Sequence, residues 1–186
     1  MPVKQVITDS ENKMNKAVEV LQDEMKGVRT GRASTGLVEN LKVEYYGNPT
    51  PLKALAALST PQADMILVKP FDPGSIKDID KAILASDVGL TPMVDGKVIR
   101  LNVPPLSEER RKQLAHQVKE LGEQAKVSVR NIRRDAIKQL EKEEKDKLVT
   151  EDDLENGKKQ LDDMTRQHTD KVDHVVKHKS DEIMQK

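Results

Sequence analysis

Three arginines in the second half of the chain are spaced so that they share one face of a helix. Arg130, Arg133 and Arg134 lie at positions i, i+3 and i+4 of the segment Val129–Ala136, which contains neither glycine nor proline. Helical residues three and four positions apart are neighbours on the surface. The planar guanidinium group binds phosphate oxygens through paired hydrogen bonds, which a lysine ammonium group cannot do. The spacing therefore predicts a surface that binds a linear array of phosphates, and RNA is the first partner to expect.

The charge of the chain is balanced as a whole but uneven along its length. Thirty-two Lys and Arg residues match 32 Asp and Glu residues, so the net charge is zero and long-range attraction to RNA is absent. Residues 110–138 hold nine basic and three acidic residues, whereas residues 151–170 hold three basic and seven acidic ones. Any binding to RNA must therefore come from local patches. The residues leave one alternative to RNA binding open, in which the arginine face forms ion pairs with the acidic segment.

Other patterns that could carry chemistry are incomplete. The loop Gly31–Gly36 has the glycine spacing of a phosphate loop, but Leu37 and Val38 stand where Lys and Ser or Thr are required. His174 and His178 are one helical turn apart without a convincing third ligand, so a solvated face is expected there and not a metal site. The sequence predicts no enzyme activity, no metal and no cofactor.

Aromatic residues make up only 2% of the chain. The chain is therefore not expected to recognise RNA by stacking its bases on aromatic side chains. It is expected to bind the backbone and shape of a folded RNA. Tyr45 and Tyr46 are predicted to pack within a strand. The absence of cysteine, of a signal peptide and of an apolar spanning segment predicts a soluble, cytoplasmic protein with no membrane partner.

Apolar periodicity predicts three long helices. The first ends near Thr30–Gly31. The second begins after Ser107, an N-cap residue followed by two glutamates, and runs to about residue 145. The third follows Thr150 and carries His168 on its apolar side, where a packed core histidine is expected. Three amphipathic helices of this length predict a bundle.

Residues 31–105 interrupt this helical pattern, because they hold eight of the nine prolines and most of the alternating β-branched residues. Strands are predicted at Leu41–Tyr46 and Met65–Val68, a short helix after Ser75, and a hairpin at Asp95–Gly96. The predicted class is therefore α+β. A three-helix bundle domain of residues 1–30 and 106–186 carries an inserted small α/β domain of residues 31–105.

Two chain crossings connect the predicted domains, and they differ in stiffness. The first is Thr30–Gly31, where glycine permits backbone angles closed to other residues. The second is Val103–Pro104–Pro105, where each proline fixes its own φ. Two crossings restrict relative motion to a hinge, so these five residues are predicted hinge residues.

Five segments, in this order along the chain, resemble the bacterial ribosome recycling factors, and the resemblance covers essentially all 186 residues. The segments are Val28–Ser34, Val43–Gly47, Lys81–Leu90, Pro104–Lys112 and Val129–Ala136. The resemblance implies a two-domain, L-like shape and a monomer that binds large-subunit ribosomal RNA. The residues implied to bind RNA are Arg29, Arg32, Lys126, Arg130, Arg133 and Arg134.

The function implied by the resemblance is that of a translation factor. It binds the post-termination ribosome and, with elongation factor G and GTP, splits the subunits and releases mRNA and tRNA for reuse. The competing class is a helical adaptor or chaperone that binds protein partners through charged helix faces and has no role with RNA. A metal-dependent hydrolase needs a set of ligands that the sequence does not show.

Overall fold

The computed structural model describes residues 2–184. It divides into two compact units: a helical unit of residues 2–25 and 115–181, and a sheet unit of residues 26–114 and 182–184. The sheet unit begins five residues before and ends nine residues after the predicted inserted domain, and the independence of residues 31–105 as a domain stays a prediction. No helix within residues 2–184 is long and apolar enough to span a bilayer.

The regular elements alternate between long helices and short strands. In chain order they are α1 (Pro2–Lys26), β1 (Lys42–Tyr45), β2 (Asn48–Pro51), the one-turn helix α2 (Leu52–Leu55), β3 (Ala56–Gln62), β4 (Met65–Pro70), α3 (Ile76–Leu84), β5 (Pro92–Asp95), β6 (Val98–Asn102), α4 (Glu108–Lys145) and α5 (Glu151–Met184). The α+β class predicted from the sequence is confirmed.

The helical unit is held together by apolar side chains from α1, α4 and α5. One cluster joins Val6 of α1, Leu140 of α4 and Leu161 of α5, and a second joins Met14, Val129 and Met164 from the same three helices. These side chains recur at helical spacing because each helix buries a single stripe. His168 is buried as predicted, and its Nε2 lies 2.9 Å from Asn15 Oδ1.

Two glycines allow the long helices to approach closely. A Cβ atom at Gly122 of α4 would overlap Val176 Cγ2 of α5, and one at Gly157 of α5 would lie 2.8 Å from Leu140 Cδ1. Glycine in the middle of a helix costs about 1 kcal/mol relative to alanine. Here that cost is offset by closer helix packing, which any larger side chain would prevent.

The sheet unit contains a two-stranded ribbon, β1–β2, and a four-stranded antiparallel sheet in the order β3–β4–β6–β5. Helix α3 packs on the core of this unit through Ile79 and Ile83, which are buried with Ile66, Ile99 and Leu101 of the central strands. The hairpin predicted at Asp95–Gly96 is confirmed.

Three sequence predictions differ from the structure. Helix α1 ends at Lys26, four residues earlier than expected, because the next residue is Gly27 and glycine is a poor helix former. Strands β2 and β3 were not expected, since both contain proline, yet both lie at sheet edges where proline is tolerated. Tyr45 packs as predicted, but Tyr46 is 84% exposed, so the prediction of strand packing is wrong for Tyr46.

Candidate nucleic-acid interface

Helix α4 is the element that positions the predicted phosphate-binding face. It runs for 38 residues from Glu108 to Lys145, a length of about 57 Å. The Ser107 hydroxyl accepts a hydrogen bond from the Arg110 amide at 3.2 Å, and Glu108 and Glu109 occupy the first turn. Both features stabilise a helix N-terminus. Side chains on α4 are therefore held at fixed distances along a rigid axis.

Arg130 and Arg134 point away from the bundle core. Taking Val129 as the centre of the buried stripe, they lie about 100° and 140° around the helix. Both side chains are exposed, and within residues 2–184 neither forms an ion pair. These two guanidinium groups are available to bind phosphate without giving up another partner.

Lys126 and Arg133 lie closer to the core and contact the acidic helix α5. They are only about 60° and 40° from Val129. Arg133 Nη1 is 2.9 Å from Asp162 Oδ1, and Lys126 Nζ is 2.5 Å from Asp173 Oδ1.

The hydrogen bond to Asp173 raises the pKa of Lys126, and a second one to Glu123 adds to this effect against the opposing effect of burial. Lys126 is therefore charged, and both Lys126 and Arg133 are already paired with carboxylates in the free chain.

The two interpretations of the basic helix thus apply to different residues. Lys126 and Arg133 form ion pairs with the acidic helix α5, whereas Arg130 and Arg134 form an exposed cationic face without ion pairs in the described residues. Lys138, one turn beyond Arg134, is exposed on the same side and was not among the predicted site residues. Its i+4 spacing from Arg134 is the sequence signal that identifies it.

Arg29 has a partner within the sheet unit. Its Nη2 donates a hydrogen bond to the carbonyl oxygen of Pro104 at 3.1 Å, so it joins the two predicted chain crossings. Burial lowers the pKa of Arg29, and repulsion by Arg110 lowers it further. Arg32 is exposed. Of these two predicted RNA-binding residues, Arg32 is thus the more accessible.

Both predicted crossings are anchored to the same turn between β3 and β4. The Val103 amide donates to the Asp64 carbonyl at 2.7 Å, and the Ala33 amide donates to the Ala63 carbonyl at 2.7 Å. Gly31, two residues before Ala33, adopts φ +86°, a left-handed conformation that favours glycine. The sequence prediction of a conformational role for Gly31 thus has a local geometric basis.

Side chains suited to metal binding do not converge in the part of the chain that the structure describes. Over residues 2–184 there is no group of three or more His, Asp or Glu side chains placed to hold a metal ion. His174 and His178 are both exposed. The arrangement that stands out chemically is the cationic face of α4.

Comparison with known proteins identifies the family. The family model for ribosome recycling factor matches residues 21–184. The ribosome-recycling factor of Geobacillus kaustophilus (strain HTA426) is 49% identical over 182 residues, which is 98% of this chain and 98% of the relative. That of Oleidesulfovibrio alaskensis (strain ATCC BAA-1058 / DSM 17464 / G20) is 47% identical over 180 residues, covering 97% and 98%.

Solved structures agree with the sequence matches. A solution structure of the ribosome recycling factor superposes with a TM-score of 0.77 at 37% identity, covering 99% of this chain and 98% of the other. A second chain, from models for the T. thermophilus ribosome recycling factor and the E. coli elongation factor G bound to the E. coli post-termination complex, gives a TM-score of 0.68 at 37% identity and covers 100% of both chains.

The shared fold and the sequence matches over the full chain make this protein an α+β translation factor. It belongs to the ribosome recycling factor family. The resemblance inferred from the five sequence segments is therefore confirmed.

Proposed function

We propose that this chain binds the post-termination ribosome and, with elongation factor G and GTP, splits the subunits and releases mRNA and tRNA. The observation that carries this proposal is the pair of exposed, unpaired arginines on α4, Arg130 and Arg134, in a chain of this family. Support for the partners comes from the relative bound with elongation factor G to a post-termination complex. The chain acts as a monomer, without a cofactor or catalytic group of its own.

In this proposal α4 anchors the protein on large-subunit ribosomal RNA. Arg130, Arg134 and Lys138 extend over about 12 Å of the helix axis, enough to contact more than one phosphate of a backbone. Arg133 and Lys126 join the contact by exchanging Asp162 and Asp173 for phosphate. The present bond of Arg133 to Asp162 and a bond to phosphate are both charge-assisted, and an exposed pair of this kind contributes about 0–1 kcal/mol. The exchange therefore gains most where an RNA backbone presents several phosphates together.

We further propose that Thr30–Gly31 and Val103–Pro104–Pro105 form a hinge that must move during subunit splitting. Gly31→Val places a β-branched residue at a positive φ, where it is strained by about 1–3 kcal/mol. We expect this variant to retain its affinity for large subunits and to lose splitting activity. Full splitting activity in this variant would contradict the hinge.

The direct test is the breakdown of purified post-termination complexes by this protein with elongation factor G and GTP. The Arg130→Ala/Arg134→Ala double variant should fold normally and lose affinity for large subunits and splitting activity together. Cosedimentation with purified large subunits, repeated at increasing salt, separates this proposal from the adaptor class. A chain that does not cosediment at any salt concentration, or that cosediments without splitting complexes, would contradict the proposal.

A further inference from the structure

The turn between β1 and β2 presents an aromatic side chain to solvent. Tyr46 has φ +47° and is 84% exposed, and Gly47 beside it has φ +77°. Turns with two positive φ values usually carry asparagine, aspartate or glycine at these positions. A tyrosine here neither fills the core nor favours the turn.

Tyr46 borders two adjoining hollows on the surface of the sheet unit. The inner hollow has a volume of roughly 160 Å³ and is lined by Tyr45, Tyr46, Asp72, Gly74 and Asp78. The outer hollow has a volume of roughly 520 Å³, and its lining includes Tyr46 and Asp78 as well as Lys42, Glu44 and Lys81. Because Tyr46 and Asp78 belong to both, the hollows form one depression between the β1–β2 ribbon and α3, here named the tyrosine groove.

The two tyrosine rings of the groove are held at a steep angle to each other. Their centroids are 4.6 Å apart and their planes meet at 76°. The Tyr45 hydroxyl donates to Asp72 Oδ2 at 3.1 Å, and Asp72 Oδ1 accepts a hydrogen bond from the Gly74 amide at 2.9 Å. Burial and the bond to Asp72 raise the pKa of Tyr45, so the phenol stays a neutral donor. One wall of the groove is therefore fixed before any ligand arrives.

The inner hollow is negative. Asp72 receives its hydrogen bonds from neutral groups, and Asp78 forms no ion pair within residues 2–184. No lysine or arginine lines this hollow, whereas Lys42 and Lys81 line only the outer one. A phosphate is repelled by two carboxylates, but a cation gains from both of them and from the negative face of an aromatic ring.

We propose that the tyrosine groove binds an arginine side chain from a basic segment of a protein partner. The planar guanidinium group stacks on Tyr46 and pairs with Asp78, a geometry that the compact lysine ammonium group fits less well. Lys42 and Lys81 in the outer hollow favour a partner with an acidic or neutral residue next to that arginine. This interaction surface is separate from the cationic residues of α4 and does not depend on the function proposed for them.

The test uses amide chemical shifts of the full-length, isotope-labelled chain. The probe is an acetylated and amidated Gly-Arg-Gly-Arg-Gly peptide, and its matched control carries citrulline, which keeps the shape of arginine without its charge. We expect the arginine peptide to shift the amides of Tyr45, Tyr46, Gly47 and Asp78, and the citrulline peptide to leave them unchanged. Tyr46→Phe should bind as the parent does, because the ring face is retained.

Three further variants make the test specific. Tyr46→Ala and Asp78→Asn should each weaken binding by about threefold to thirtyfold. Asp87→Asn removes an exposed carboxylate outside the groove and should change nothing. Both groove residues are exposed, so folding should persist, and thermal unfolding checks it.

Three results overturn the proposal. The first is equal shifts with the citrulline peptide, and the second is an equal loss of binding in Asp87→Asn. The third is tighter binding of a ten-nucleotide oligouridylate than of the arginine peptide at these amides, which would assign the groove to RNA.

Discussion

The ion pair between Arg133 and Asp162 allows a direct test of partner exchange on α4. If Arg133 leaves Asp162 to bind phosphate, then removing the carboxylate should strengthen RNA binding. The substitution Asp162→Asn keeps the size of the side chain and removes its charge. Arg133 then reaches phosphate without first giving up an ion pair.

The expected size of the effect follows from exposure. The two side chains are 40% and 58% exposed, so their pair contributes at most about 1 kcal/mol after solvent screening. Releasing Arg133 should therefore raise the affinity for large subunits by up to about fivefold. The same change should lower the free energy of unfolding by less than about 1 kcal/mol.

The assay is binding to purified large subunits at several salt concentrations, with thermal unfolding measured in parallel. Asp163→Asn is the matched control, because this neighbouring carboxylate is exposed and has no ion pair within residues 2–184. The decisive comparison repeats Asp162→Asn in the Arg133→Ala background, where the gain should vanish. A gain of equal size there, or an equal gain from Asp163→Asn, would refute partner exchange and leave only a general effect of charge.

Three further predictions concern stability and are measured by thermal unfolding. Gly122→Ala should destabilise the chain although alanine has the higher helix propensity, because overpacking against Val176 costs about 1–3 kcal/mol. Adding Val176→Ala should remove the overlap and restore stability. Lys147→Gly should stabilise the chain by about 1 kcal/mol, because this residue has φ +59° where α4 ends. An unchanged unfolding temperature would show that Lys147 is not strained at this φ. Hydrogen bonds from Thr150 hold the pKa of Asp153 below its ordinary value of 3.8, so the stability they give is present above that pH and is lost as pH falls through the folded-state pKa. Asp153→Asn should thus unfold at a lower temperature than the parent at about pH 5, and this difference should shrink as the pH is lowered below the ordinary pKa.

The starts of α4 and α5 and the end of α4 could be predicted from the sequence because local residues determine them. Ser107 and Thr150 accept hydrogen bonds from amides of the first turns of α4 and α5, as cap residues should. The end of α4 has a similar local cause, since the Leu148 amide bonds to the Glu143 carbonyl across the left-handed Lys147. Such contacts span only a few residues, so a pattern of residue types identifies them.

Strands β2 and β3 could not be predicted, because their position in the sheet was unknown. Pro49 and Pro51 pair with Glu44 and Lys42 in the isolated ribbon. Pro61 lies where the register of the edge strand β3 shifts. Proline is compatible with a strand only if its missing amide faces away from a partner. Whether a strand is at an edge depends on residues far away in sequence.

Whether each cation at the candidate site is paired with a carboxylate also depends on how the helices pack, and the sequence alone did not show it. The spacing of Arg130, Arg133 and Arg134 places them on one face, as the sequence predicts, but that face is wide. A rotation of about 60° around α4 separates Arg133, which reaches a carboxylate of α5, from Arg130, which does not. The sequence shows the acidic segment but not which cations lie opposite it.

The ion pairs between α4 and α5 bear on selectivity as well as on stability. A chain with zero net charge has no long-range attraction to RNA, and every cation already paired subtracts up to about 1 kcal/mol from its contact with phosphate. A single accidental contact between a paired cation and a phosphate then adds little affinity. If α4 binds RNA as proposed above, affinity requires that the unpaired Arg130 and Arg134 bind first and that a fixed array of phosphates then displaces Asp162 and Asp173 together. Such an array is a property of a folded RNA surface, so the proposal predicts weaker binding to unstructured RNA.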